Sequence, residues 1–313
     1  MVIDEVRRKA YLRAMKGRIT RESRVLDLGC GTGFFTLAAL EMGAKHVVGV
    51  EVLDSVRLLP KVVAANGYED RCELYEGDVR DLDMSPFDLV ISDMRGAVPL
   101  YGEHLDVLTH VHQHLLHPDA ELLPRRDRLR ASLVSLPEWY DRQVAPWNID
   151  SHDWAPYQEL VLSSPVRRSR IAHEACASAP IEWGAVDYHD LESLAQRHFG
   201  GGFDTHALHD GEVHGIALWF DAAIADGVEY STEPSDYAPT YGRMFHPFAQ
   251  PLLLRANEPI SVQIAAHRTA TGWSWEWGAS SAAGTRRHSS LDSLLLTADQ
   301  LNTRKDGRAE RLL

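Results

Sequence analysis

The sequence predicts an α/β domain followed by an antiparallel β domain, and three observations carry that prediction. Val25 to Gly33 reads V-L-D-L-G-C-G-T-G: a buried strand to Leu28, a turn holding Gly29, Gly31 and Gly33, then a helix from about Phe34. Three further apolar stretches, Lys45 to Val50, Arg71 to Val79 and Phe87 to Asp93, run to Glu51, Asp78 and Asp93, and ligands of open α/β sheets sit at the carboxyl ends of strands. Past Pro124 the strand–helix rhythm gives way to short alternating stretches starting at Leu129, Gly215, Pro251, Pro259 and Gly272, the pattern of antiparallel strands.

In order, Met1 to Lys16 reads as a helix carrying Asp4 and Arg7 and ended by Gly17. The three glycines let the backbone approach a ligand where a Cβ would collide, and the following helix start offers free N–H groups. Glu51, about twenty residues on, is placed to accept two hydrogen bonds from a ribose diol. The unit therefore predicts nucleoside binding. Its spacing is one residue shorter than the dinucleotide form, which leaves NAD or FAD as the alternative. Gly77-Asp78 is placed to meet an adenine amino group. A loop from Met94 to Glu103 contains two glycines and a proline; Leu105 to Leu116 reads as a helix, and Pro118 to Pro124 as the turn into a fifth strand. His110 and His114 share a helix face without a third ligand beside them, so no metal is expected. The stretch from about Pro146 to His173, rich in Trp, Pro, Asp and Arg, reads as an excursion from the β domain. From about Ser280 a polar tail follows, with an apolar patch (Leu291, Leu294 to Leu296) suited to a docking helix.

Hydrophobic content of 44% and charged content of 25% are ordinary for a globular protein. The net charge of −13 disfavours nucleic acid and suits a cationic substrate. The cysteines, Cys30, Cys72 and Cys176, form no C-x-x-C pair, which argues against zinc or redox chemistry and fits a reducing compartment. Without a leader or an apolar run of bilayer length, a cytoplasmic protein off the membrane is expected.

The turn D27-L-G-C-G-T-G33 is similar to the first motif of class I S-adenosylmethionine (SAM) methyltransferases. From Asp4 to about Gly278, the order of pieces resembles the protein arginine methyltransferase family. D4-E-V-R7 resembles that family's helix over the cofactor, and G49-V-E51 its second cofactor motif. S92-D-M-R-G96 through Glu103 resembles the loop whose two carboxylates grip a guanidinium. H214-G-I-A-L-W-F-D and Y230-S-T-E-P-S resemble its barrel segments, and H246-P-F-A-Q250 its histidine loop. The resemblance implies a Rossmann-like SAM-binding domain at 1–124 and a β-barrel at 125–278 with a dimerisation arm near 146–173, then a tail at 279–313. It implies cofactor contacts from Arg7, Asp27, Gly29, Cys30, Gly31, Gly33, Glu51, Val52, Gly77, Asp78, Val79 and Ser92. It further implies a clamp of Asp93 and Glu103, a substrate contact from Tyr101, and a His246–Asp4 pair that accepts a proton or ties helix to barrel; Arg95, within the same loop, is read from its charge as a further substrate contact.

The implied activity is N-methylation of a guanidino group, with S-adenosylhomocysteine as product and a homodimer as the assembly. The acceptor is free L-arginine, another small guanidino compound, or a peptide arginine. A different N or O nucleophile, or a non-catalytic SAM-binding dimer, stands as the alternative. Among its departures from the family, Asp93 replaces a glutamate, Gly102 falls at the second carboxylate's ungapped position, Pro247 replaces a tryptophan, and Arg95 lies within the loop. A cation at Arg95 suggests a partner for the carboxylate of a small guanidino acid.

Overall fold

The computed structural model describes residues 3–291 except 163 and 271. The proposed docking segment at Leu294 to Leu296 lies outside the described residues.

The first sheet is built from β1 (Arg24–Leu28), β2 (His46–Glu51), β3 (Cys72–Glu76), β4 (Phe87–Ser92) and β5 (Leu116–Leu123). All are parallel, in the order β3-β2-β1-β4-β5. Helices α2 (Phe34–Glu41), α3 (Leu59–Ala65) and α4 (His104–His114) connect them, so the central strands are covered and read as continuous apolar runs. Residues 118–123, expected as a turn, belong to β5 itself. That strand pairs only with β4, and an edge strand tolerates Pro118.

Register places the site. Leu28 lies opposite both Val50 and Ser92. Gly29, Glu51 and Asp93 therefore form one row at the carboxyl ends of β1, β2 and β4, with adjacent strands ~4.8 Å apart. The chain order reverses between β1 and β4, which opens the crevice where ligands of such sheets bind.

Helix α1 (Glu5–Met15) starts at Asp4, whose side chain accepts from the Arg7 N–H at 3.2 Å. Its buried face, Arg7, Ala10, Tyr11, Ala14 and Met15, packs over α2, with the Tyr11 and Phe35 rings 4.8 Å apart.

The second half forms two antiparallel sheets. One contains β6 (Arg126–Val134), β7 (Val166–Arg168), β8 (Ile181–Asp187), β10 (Gly211–Ala225), β11 (Val228–Ser231) and β12 (Arg243–Leu254). The other contains β9 (His198–His206), β13 (Pro259–Thr269), β14 (Gly272–Ser281) and β15 (Gly284–Ser289). Their inner faces meet in a barrel-like core. Trp183 meets Trp275 edge-on at 5.9 Å, and the Trp277 indole donates to the Pro247 carbonyl at 2.8 Å. The sheet runs past Gly278, where a tail was expected, because β15 is a half-exposed edge strand with polar residues on it. The glycine-rich β9 went unread as a strand. Its Gly200, at φ +105°, passes so close to β13 that a Cβ would stand 2.0 Å from the Ile264 carbonyl oxygen.

The excursion begins earlier than expected. Helix α5 (Pro137–Val144) and helix α6 (Ala155–Leu162) leave the barrel between β6 and β7. Trp139 and Leu162 pack on Phe245 and Ala217, with the Trp139 and Phe245 rings 4.9 Å apart. Among the described residues no helix is long and apolar enough to cross a membrane.

Candidate active site

The glycine turn and Glu51 form one unit. Glu51 Oε2 accepts from the Gly31 N–H at 2.9 Å, and Oε1 accepts from the Leu53 N–H at 3.0 Å. The three glycines differ in what surrounds them. A Cβ on Gly29 would stand 2.5 Å from Met94 Cγ, and one on Gly33 would stand 2.2 Å from Leu59 Cδ1. At Gly31 the nearest atom to a Cβ would be Glu51 Oε2 at 3.9 Å. Gly29 and Gly33 are thus glycines for packing, whereas Gly31 borders open space at the crevice.

Other cofactor candidates have structural occupations. Asp27 is buried and accepts from Thr36 Oγ1 at 2.6 Å, tying β1 to α2; burial lifts its carboxyl to about 6. Cys30 is buried against Val56, Leu59 and Val63, and burial holds its thiol protonated. Asp78 is gripped by Arg80, through Nε at 3.0 Å and Nη2 at 2.6 Å, which lowers its carboxyl below the usual range. Gly77 is open on its Cα side, Val79 is buried and Val52 is exposed. Ser92 is buried, and among the described residues its Oγ has no hydrogen-bond partner.

Asp93 is the centre of a buried ionic cluster. Arg7 Nη1 pairs with its Oδ2, and Arg95 Nη2 donates to its Oδ1 at 3.1 Å. Tyr11 donates to the Ser92 carbonyl at 2.8 Å, and Tyr241 donates to the Asp93 carbonyl. Burial raises both phenols to about 12, so they remain donors at neutral pH. Arg95, expected to face a substrate, has no exposed surface. Its Nη1 donates to Asp127 Oδ1 at 2.9 Å and its Nη2 to Tyr230 Oη at 2.5 Å. This corrects the reading of Arg95 as a substrate contact: it is wholly buried and both its Nη groups donate inside the protein.

The expected His246–Asp4 pair is not formed. Asp4 accepts instead from Tyr237 Oη and, at 2.8 Å, from the Thr240 N–H. His246 lies on β12, wholly buried between the rings of Trp275 and Trp277, each 5.0 Å away. Its ring nitrogens have no hydrogen-bond partner among the described residues, and burial pushes it down to about 3. The loop that meets Asp4 and Asp93 is 237–241. Tyr237, Thr240 and Tyr241 were missed because the histidine drew the register five residues along; A-P-T-Y, between an S-T-x-P segment and a strand, was the available signal.

Glu103 is half-exposed and held by Arg80 Nη2 at 2.5 Å. Tyr101 is exposed on one side and lies over Gly96 on the other. His110 and His114 face each other at 4.7 Å, and no group of three or more metal-type ligands occurs among the described residues.

A buried neutral histidine makes stability acid-sensitive. The folded value of His246 lies below the ordinary 6.5, so its contribution is complete above pH 6.5 and is lost as pH falls toward 3. His246→Leu is expected to lose about 2 kcal/mol less than wild type between pH 7 and pH 5 in chemical denaturation. An equal loss in both would contradict a neutral buried ring.

Residues 19–144 match a methyltransferase-domain family model. The chain is 26% identical over 246 residues to protein arginine N-methyltransferase 1 of Schizosaccharomyces pombe, covering 75% of this chain and 71% of that protein. It is 27% identical over 249 residues to the Saccharomyces cerevisiae protein of the same name, covering 75% and 70%. Its fold superposes on a chain of the Trypanosoma brucei PRMT1 enzyme–prozyme heterotetrameric complex with AdoHcy, at a TM-score of 0.79 and 19% identity, covering 92% of this chain and 96% of that one. Arabidopsis thaliana protein arginine methyltransferase 10 superposes with a TM-score of 0.78 at 17% identity, covering 92% and 96%. The parallel sheet with the glycine turn, the barrel-like second half and these matches together make the chain a SAM-dependent N-methyltransferase, similar in sequence and fold to the protein arginine methyltransferases.

Proposed function

We propose that the methyl acceptor is the guanidino group of an arginine side chain in a peptide or protein, with Asp93 as its receptor. One observation carries this reading: Asp93, beside the glycine turn, already holds two of the protein's own guanidinium groups. A carboxylate that does so, at the switch point of the sheet, is built to hold a third in exchange. The small-molecule alternative drew on the departures from the family and on Arg95 as a fixed cation beside the clamp, and Arg95 is engaged by Asp127 and Asp93. Peptide arginine also fits the net charge of −13 and the names of the relatives.

The residues fit the cofactor. Glu51 offers a carboxylate to a ribose diol, Gly31 leaves room for it, and Arg7 is a cation for the carboxylate at the methionine end. SAM, when bound, supplies a methyl group on a sulfonium, and the guanidino nitrogen displaces the thioether from it. The chain's task is alignment. A guanidinium has its lone pairs delocalised, and a carboxylate paired with the nitrogens that are not methylated concentrates electron density on the one that is. Asp93 performs this from the floor of the site. Glu103 is proposed as a second carboxylate at the rim, available once it leaves Arg80. Asp4 holds α1 to the barrel loop. His246 has no route to the proton, so water takes it.

Radiolabelled methyl transfer to an Arg-Gly-rich peptide, set beside free L-arginine, tests the acceptor. Turnover of the peptide is expected; turnover of the free amino acid alone overturns the reading. Glu51→Ala is expected to weaken SAM binding roughly 100-fold by calorimetry, because the diol and the Gly31 turn lose one carboxylate together. An unchanged affinity would remove Glu51 from the cofactor site. A homodimer through the α5–α6 arm is the proposed assembly, and light scattering decides it.

A further inference from the structure

We infer that Arg95 and Asp127 act as a positioning relay, in which the barrel sets the orientation of the acceptor carboxylate Asp93. The inference rests on the reading of Asp93 as the acceptor's receptor and adds residues that reading does not need.

The geometry is continuous from one domain to the other. Tyr188, just past β8, donates to Asp127 Oδ2 at 2.7 Å. Asp127, near the start of β6, accepts from Arg95 Nη1 at 2.9 Å through its other oxygen. Arg95 Nη2 then reaches Asp93 Oδ1 at 3.1 Å, past the end of β4. Arg95 and Asp127 have no exposed surface, and Asp93 is 5% exposed. The guanidinium is further held between aromatic rings, 4.9 Å from Phe220, 5.6 Å from Tyr230 and 5.7 Å from Tyr11. A planar group packed in this way has one orientation.

Charge explains why two residues are needed. Arg95 alone would neutralise Asp93 and leave nothing for a cationic acceptor. Asp127 cancels Arg95, so the three groups together keep one negative charge, and it resides where the acceptor binds. Asp127 also draws Nη1 away, so Arg95 bonds only Oδ1 of Asp93. Oδ2 is the oxygen left to exchange, and Arg7 occupies it here. An aspartate is one methylene shorter than a glutamate and has less reach; fixing its carboxylate from behind makes the one exchangeable oxygen point in a defined direction.

The test measures acceptor KM, kcat and SAM affinity for full-length Asp127→Asn, Arg95→Met with Asp127→Asn, Tyr188→Phe, and Asp93→Asn. With Asp127→Asn, Arg95 closes onto both oxygens of Asp93, and acceptor KM is expected to rise at least 10-fold while SAM affinity stays within twofold. The double variant replaces the buried pair by neutral groups and should raise KM about fivefold with kcat changed less than KM. Tyr188→Phe removes only the outermost bond; it is the variant to read if the others fail to fold, with an expected rise of about threefold. A purely structural network would lower the melting temperature and leave KM of the folded enzyme unchanged, and that result overturns the relay. Asp93→Asn separates the two claims: wild-type KM there overturns Asp93 as the receptor, whereas its loss alongside an unchanged KM in the other three overturns the relay alone.

Discussion

Asp93→Asn is expected to lower kcat/KM for the peptide acceptor about 1,000-fold, while SAM affinity changes less than about threefold. The substitution keeps the size of the side chain and removes its charge. An amide presents N–H groups to a guanidinium on one side and a single neutral acceptor on the other, so the cation loses both its partner and the density directed at the reacting nitrogen. Arg7 and Arg95 lose a carboxylate at the same time. Breaking a buried ion pair from one side costs ~3 kcal/mol, so folding must be monitored in parallel. Single-turnover methyl transfer at saturating SAM on protein shown to be folded is the decisive measurement. A variant that binds SAM, folds and still methylates at a wild-type rate would remove Asp93 from the reaction.

Gly31→Ala is expected to weaken SAM binding at least 100-fold while leaving a folded protein. The added methyl group meets no protein atom closer than 3.9 Å, so nothing inside the fold has to move. Its cost to the fold is the φ of +55°, worth ~1–2 kcal/mol for a residue with a Cβ. The space it fills is the face of the turn where a ligand lies. Gly33→Ala is the control, because there the methyl strikes Leu59 and the fold itself is loosened. Calorimetric SAM titration and thermal melting on the pair should separate: lost binding with modest destabilisation at Gly31, and marked destabilisation at Gly33. Equal SAM affinity for Gly31→Ala and wild type would mean the nucleoside lies elsewhere.

The site was legible in parts, and the division follows the range of the interactions. Asp93, Glu51 and Gly31 were found because each falls at or within three residues of the carboxyl end of a strand whose apolar run is visible in the sequence. The parallel register then aligns such ends in one row. Arg95 was found, but its partner was not: Asp127 lies on another domain, and nothing local to either residue announces the pair. His246 was given a role because histidine is chemically conspicuous. The structure puts it where alternation along β12 puts any inward residue, between two tryptophans.

Strand boundaries divide in the same way. The buried central strands of the parallel sheet, β1, β2 and β4, were read within a residue, whereas β10 and β12 of the second half were read only in part. The edge strand β5 was read as a turn on account of Pro118, and the glycine-rich β9 was not read at all. Edge strands and crossing strands are defined by their neighbours, so their own residues carry weaker signals.

The sequence by itself determined the nucleoside-binding unit, since an apolar run, a turn that needs glycine and an acid at the next strand end are all local requirements. Only the tertiary structure decided which cations face Asp93 and which loop holds Asp4. Asp4 is held by residues from the far half of the chain, and Arg95 is aimed at Asp93 by barrel residues Asp127 and Tyr230, so the strength of both comes from burial that no local segment possesses until the two domains close on α1.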